Sequence, residues 1–283
     1  MLKVAEINIY PVKSLQGISL NSAKLGIRGL EFDRNWMVTD SEYNFVTQRD
    51  LPKMAAISTA VDKRTLTLEH GSLSPLIVDL SNNKQNLVEA VIWKDRSKAV
   101  DEGDTASNWL TEVLGRIKGR NLRIVRFSDQ HRREVDKKYL KGEDSHTAFS
   151  DAFPYLVTTE ESLELLNEML IANGSKPVGM ERFRPNLVLK GAKALEENKF
   201  DSITELNYRY RLGIRKPCKR CVITAIDQTT TNIAEPKEPL RALLQMNPYP
   251  DLKGAFFGQN ATLMSGVGEI ISIGDILNYS FKV

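Results

Sequence analysis

The chain has 283 residues, with 39 Lys and Arg against 36 Asp and Glu, two Cys and 17 Gly. At 41% hydrophobic content it has material for a buried core, and at ~150 residues per domain it has length for about two domains. This excludes long disorder, collagen and a disulfide-rich secreted scaffold, and a net charge of +3 makes no case for nucleic acid by itself.

In chain order, Leu2, Val4, Ile7 and Ile9 predict a first strand ending at Tyr10-Pro11. This start lacks the unbroken apolar run of a signal peptide. No segment approaches the ~18 apolar residues of a membrane span, so a soluble, cytoplasmic protein without a membrane partner is expected. Trp36 to Val38, a polar turn from Asp40 to Asn44, and Phe45-Val46 predict a hairpin. Leu66, Leu68 and His70 alternate with Thr65, Thr67 and Glu69, the period of a half-buried strand. Val88, Val91 and Ile92 predict another.

Asp104 reads as the N-cap of a first helix, with Ala106, Leu110, Val113 and Leu114 on one face and Gly115 as its stop. A capping box at Thr158 and Glu161 predicts a second helix, striped by Leu163, Leu166 and Leu170 and ended by Asn173-Gly174. Between them, the charge run from His131 to Lys141 reads as a solvated loop, with a mobile lid as the alternative. Strands return at 187–189, 205–214, 222–226 and 270–281, with a short helix near Leu240 after Pro236 and Pro239. This irregular order predicts a β-rich α+β fold instead of a doubly wound sheet.

From Asn207 to Thr224 stand six basic residues, Arg209, Arg211, Arg215, Lys216, Lys219 and Arg220, and no acidic one. Both cysteines, Cys218 and Cys221, lie in this stretch. Alternation gives the preceding strand an apolar face of Tyr208, Tyr210, Leu212 and Ile214, opposite Arg209 and Arg211. Nearby cations favour thiolate over thiol, so either cysteine could ligate a metal carried on an anionic cofactor. A structural zinc site would need further ligands, and His70, His131 and His146 have no knuckle spacing. A thioredoxin-type pair would need a helix where a strand is expected. Two incidental core thiols would leave the cations unexplained. Single-stranded nucleic acid is a poor partner, because the tyrosines face away from the arginines. Neither a glycine-rich nucleotide loop nor a nucleophile elbow is present, so a redox enzyme here would draw electrons from another protein.

The chain resembles the MOSC-domain molybdenum-cofactor proteins that carry an N-terminal MOSC β-barrel domain. It is similar to the bacterial hydroxylaminopurine-resistance type and to the mitochondrial amidoxime-reducing component. The resemblance spans nearly the whole chain through Tyr10 to Ser14, Asp33-Arg34 before Trp36, Phe149 to Pro154, Arg182 to Asn186, Cys218 to Cys221, and Phe257 to Asn260. It implies an N-terminal β-rich domain over residues 1–125 and a MOSC β-barrel domain carrying the cysteine loop over 126–283. It also implies a pterin-bound molybdenum ligated by Cys221. Lys13, Ser14, Arg34, Arg184 and Asn186 would hold the phosphate and pterin, and Ser150, Asp151, Lys219 and Arg220 would complete the pocket. Asp151 is expected as a proton donor or a pocket organiser. The implied reaction is reduction of small N-hydroxylated compounds, a detoxifying activity supplied with electrons by a flavoprotein or small redox protein. A cofactor carrier or sulfur-transfer protein is the alternative, and pyridoxal phosphate binding is a family-level association. The chain stops at Val283 without the cysteine-rich ferredoxin-type domain of some relatives, so the electron donor is expected to be a separate protein.

Overall fold

Seven strands close into a barrel in the order Leu187–Lys190, Tyr155–Thr159, Phe256–Ser265, Arg211–Lys219, Phe200–Glu205, Ile276–Phe281 and Leu2–Ile9. The structure is a computed structural model that describes residues 1–71, 73–81 and 86–282. Val283, the last residue of the expected second domain, lies outside them. Alternate apolar residues point inward from each stave, among them Val4, Ile7, Leu187, Leu189, Leu212, Ile214, Ala261 and Leu277. Each large aliphatic side chain buried there stabilises the fold by roughly 1.5–3 kcal/mol. The first strand closes the ring. Ile7 lies opposite Leu187 on one side and Leu2 opposite Leu277 on the other, so the start of the chain is a stave of a barrel built mainly from its second half.

The remaining N-terminal residues form a five-stranded sheet and a three-stranded sheet around their own core. The larger runs Asn86–Ile92, Asp95–Asp101, Leu122–Phe127, Trp36–Asp40 and Val12–Lys13. The smaller contains the predicted Thr65–Glu69 strand, whose Leu66 and Leu68 are buried while its threonines are half-buried. Helix α1, Asp104–Leu114, lays Ala106, Leu110 and Leu114 on this core. Helix α2, Glu160–Ala172, crosses between the two parallel staves Tyr155–Thr159 and Leu187–Lys190. Helix α3, Leu240–Met246, packs beside it.

Six local expectations change in the folded chain. Gly103 occupies the cap position of α1 at φ +93°, while the Asp104 carboxylate pairs with Arg123 at 3.0 Å. The α2 cap is Thr159, which accepts from the Ser162 amide. Thr158 is still in the strand opposite Val188, and Glu161 accepts from the Gly191 amide. The predicted hairpin keeps its first strand, but Phe45 only bridges Thr39, and Asn44 bridges Val91. Residues 206–210 form a turn, leaving Tyr208 79% exposed while Tyr210, Leu212 and Ile214 are buried. Val222–Ala225 is a single 3-10 turn instead of a strand.

The sixth change matters most for the site. The charge run from His131 to Lys141 is solvated only in part: Lys137, Lys138 and Lys141 are exposed, but Arg133–Glu134 pairs with His146–Thr147 and Val135 is buried, so this stretch is anchored at its start.

Candidate functional site

The two β units meet at a cleft of about 170 Å³. Its lining includes Lys13, Ser14, Arg34, Ser150, Asp151, Arg184, Asn186, Lys219, Arg220 and Cys221, so all ten residues singled out from sequence come together. They arrive on separate elements. Val12–Lys13 pairs in parallel with Trp36-Met37, which sets Lys13 and Ser14 on one wall. The strand Arg211–Lys219 breaks register with its neighbour three times; such bulges bend a strand and increase its twist, and here the last lies beside the cysteine loop. Ser14, Arg34 and Arg184 all hold left-handed backbone, at φ +70°, +49° and +55°. Non-glycine residues in that region cost of order 1–3 kcal/mol each and cluster at functional sites.

The deep wall is built on Tyr10. The Arg34 and Arg184 guanidiniums stack on its buried ring at 4.1 and 4.2 Å. Arg34 forks onto both Asp33 oxygens at 2.7 Å and donates to the Arg184 carbonyl at 2.9 Å. Arg184 donates to the Leu15 carbonyl at 2.8 Å and to Gln228 Oε1 at 3.3 Å. Burial, with the like charge of Arg34 added, pushes the Arg184 pKa down to about 10, so it is still a cation at neutral pH. Asn186 donates Nδ2 to the Asn8 carbonyl and accepts on Oδ1 from the Leu156 amide. Its side chain is thus spent on joining the first strand to the barrel, leaving less for a pterin edge than the sequence reading expects.

Lys13 is nearly buried and donates to the Phe149 carbonyl at 3.0 Å and to Asp151 Oδ1 at 2.5 Å. Burial pulls its pKa down, with Asp151 opposing. The Asp151 side chain is 63% exposed at the cleft. The enclosing protein alone would push its pKa up, but Lys13, the Trp93 indole N–H at 3.1 Å and Arg49 outweigh this and hold it well below the usual carboxylate range. Of the two roles expected for Asp151, organiser fits this geometry, since a carboxylate ionised at neutral pH has no proton to donate. Arg133 fixes the loop beneath it, donating to the carbonyls of Ala148, Ser150 and Asp151 and pairing with Asp95.

At the thiols, Cys221 sits at the N-terminal cap of the Val222–Ala225 turn. Its Sγ accepts from Arg49 Nη2 at 3.0 Å. Cys218 Sγ accepts from Arg220 Nη1 at 2.9 Å, while Arg220 Nη2 donates to the Phe183 carbonyl. The other expected cations lie elsewhere. Arg209 pairs with Glu205 and Asp275, Arg211 bonds Ser202, Arg215 pairs with Glu143, and Lys216 lies over the Tyr139 ring. Only Lys219 and Arg220 of the six line the cleft. Thr47, Gln48, Arg49 and Asn260 also line it. The first three were missed because no periodicity, charge cluster or motif marks them in the sequence.

The donor set fits an anionic chelate of a soft metal. Lys13, Arg34, Arg184, Lys219 and Arg220 outnumber the single carboxylate of Asp151 in the lining, and the buried Nε of Arg220 has no hydrogen-bond partner. Among the described residues no group of three or more His, Cys, Asp or Glu could hold a metal ion. A metal held here would therefore bring most of its ligands with it and take one thiolate from the protein.

A closed β-barrel joined to a second β unit across a cationic, thiol-bearing cleft defines a class of two-part β-rich proteins. Residues 1–117 match the MOSC N-terminal beta barrel domain, and residues 144–277 match the MOSC domain. Mitochondrial amidoxime-reducing component 1 of Mus musculus is 31% identical over 264 residues, covering 90% of this chain and 74% of that one. Mitochondrial amidoxime reducing component 2 of Rattus norvegicus is 30% identical, covering 85% and 71%. The molybdenum cofactor sulfurase of Bos taurus is 28% identical over 80% of this chain and 27% of that one. The chain belongs to the MOSC-domain proteins with an N-terminal MOSC β-barrel domain. Among solved structures, the YUAD protein of Bacillus subtilis superposes over 100% of this chain and 98% of that one, at a TM-score of 0.41 and 10% identity, too distant to carry weight.

Proposed function

We propose that this protein is a molybdenum-cofactor-dependent reductase of small N-hydroxylated compounds, with Cys221 as the metal's protein ligand. The observation that carries this reading is the Cys221 thiol in a cleft whose charged lining residues, among those described, are six cations, Lys13, Arg34, Arg49, Arg184, Lys219 and Arg220, against one carboxylate, Asp151. The names of the amidoxime-reducing relatives support the reaction class. Guanidinium forks at Arg34, Arg184 and Arg220, with the ammoniums of Lys13 and Lys219, suit phosphate oxygens. Ser14 and Ser150 offer hydroxyls to a polar pterin. Asp151 keeps Lys13 extended into the cleft, and Asn186 fixes the wall behind. When bound, the cofactor supplies the oxygen-accepting redox chemistry, and the protein supplies thiolate, orientation and charge. Electrons come from a separate flavoprotein or small redox protein, and the work is placed in the cytoplasm. Among the described residues no helix is long and apolar enough to cross a membrane.

A cofactor carrier or sulfur-transfer role is the second reading, favoured by the sulfurase relative and by the second thiol, Cys218, in the same cleft. Anaerobic purification followed by elemental analysis tests the first claim. Molybdenum is expected in wild type and in Cys218→Ser and absent from Cys221→Ser; a wild type free of molybdenum under adequate supply overturns it. Reduction of benzamidoxime with an artificial electron donor then separates enzyme from carrier.

A further inference from the structure

Arg49 enters the reading above only as one of the cations, yet its Nη2 lies 3.0 Å from Cys221 Sγ. Its turn is set by its own hydrogen bonds. The Thr47 amide and hydroxyl both donate to Asp50 Oδ2, at 3.0 and 3.1 Å, and the Arg49 amide donates to Thr47 Oγ1 at 3.2 Å. Gln48, fully buried, exchanges amide bonds with Gln228 at 3.0 Å in both directions and donates to the Ser14 carbonyl at 2.8 Å. The turn is therefore tied to both halves of the molecule, and the Arg49 backbone is placed before any ligand arrives.

The guanidinium is placed as well. It lies over the Trp93 ring, 5.0 Å from its centroid. Trp93 packs on Phe45 at 4.9 Å and donates its indole N–H to Asp151. It does so at φ +55°, in the tight turn between Ile92 and Asp95. Glycine or asparagine would sit there with little strain, whereas an indole costs of order 1–3 kcal/mol. The strained residue touches two cleft residues, Arg49 and Asp151.

From these contacts we infer that Arg49 is a positioning residue that holds Cys221 Sγ in one orientation toward the metal, with Trp93 as the plate keeping its guanidinium at the sulfur. A cysteine side chain has a single heavy-atom torsion with three staggered wells, and one charge-assisted bond to Sγ selects among them. Donors to a metal-bound sulfur also tune the metal's electronics. The inference rests on the molybdenum reading.

The test uses the full-length, molybdenum-loaded protein as wild type, Arg49→Gln, Arg49→Lys and Trp93→Ala. Molybdenum content and the molybdenum electron paramagnetic resonance spectrum are measured, with thermal melts as folding controls. Arg49→Gln should give a shifted, broadened signal and ~10–100-fold lower turnover, the usual size for loss of an outer-shell partner. Trp93→Ala should move the signal the same way by less, and Arg49→Lys should restore part of it. A wild-type spectrum in folded Arg49→Gln overturns the inference and leaves the molybdenum reading standing. Should Arg49→Gln not fold, Trp93→Ala decides, and a wild-type spectrum there overturns the inference. A wild type without molybdenum overturns both.

Discussion

The two ends of the strand Arg211–Lys219 show how similar sequence charge can meet opposite fates. Toward its start, the cations are absorbed. Arg209 is answered by Glu205 and Asp275, and Arg215 by Glu143 and Thr262 with its side chain only 1% exposed. Toward its end, Lys219 and Arg220 line a cleft whose only carboxylate among the described residues belongs to Asp151, and that carboxylate is already paired with Lys13. The difference lies in what the fold brings opposite each cation. A field that can hold an anion survives only where acids from other elements are kept away.

The largest effect should come from the deep wall. Replacing Arg184 by Ala removes two hydrogen bonds and the stack on Tyr10 from a half-buried site. It should cost about 3 kcal/mol, at ~1.5–3 kcal/mol for a charged hydrogen bond, and abolish molybdenum retention. Urea unfolding together with elemental analysis checks both, and an unchanged molybdenum content would place the phosphate elsewhere.

Asp151→Asn comes next. Its exposure to the cleft reduces the value of the Lys13 pair, so a loss of about 1–2 kcal/mol at neutral pH is expected. The sign of its pH dependence follows from a folded-state pKa held below the unfolded one. The carboxylate's contribution is full above the unfolded carboxylate range, near pH 4, and is lost as pH falls through the lower folded value. The stability gap between wild type and Asp151→Asn should therefore be constant from neutral pH to about 5 and close under stronger acid. Paired denaturant melts across that range would show it, and a gap that widens in acid would contradict the ion pair.

The smallest effect belongs to the strand's other end. Arg209→Ala loses a partly exposed ion pair, costs about 0.5 kcal/mol, and should leave molybdenum content unchanged. A loss of molybdenum there would mean that the six cations act together after all.

Much of the site was legible in the sequence. The ten expected residues share one cleft, and they were legible because the short motifs that hold them, Lys-Ser, Asp-Arg, Ser-Asp, Arg-Pro-Asn and Cys-Lys-Arg-Cys, carry the resemblance to the family. Thr47, Gln48, Arg49 and Trp93 were hidden because what matters in them is which side chain meets which, over separations such as the 172 residues between Arg49 and Cys221. The capping error at Thr158 has a local cause. Either threonine could cap α2, and the Thr158 pairing with Val188 in the parallel sheet assigns the role to Thr159.

The sequence by itself determined a β-rich α+β chain, the apolar stripes of its helices and the cysteine loop that faces the cleft. Those follow from periodicity and side-chain chemistry, which act over a few residues. Only the tertiary structure decided that the first strand closes the second half's barrel, that four of the six cations are spent elsewhere, and that Arg49 meets Cys221. Each of these depends on chain closure over more than a hundred residues or on partners, acids, a hydroxyl and an aromatic ring, supplied mostly by other elements, and no local pattern encodes either.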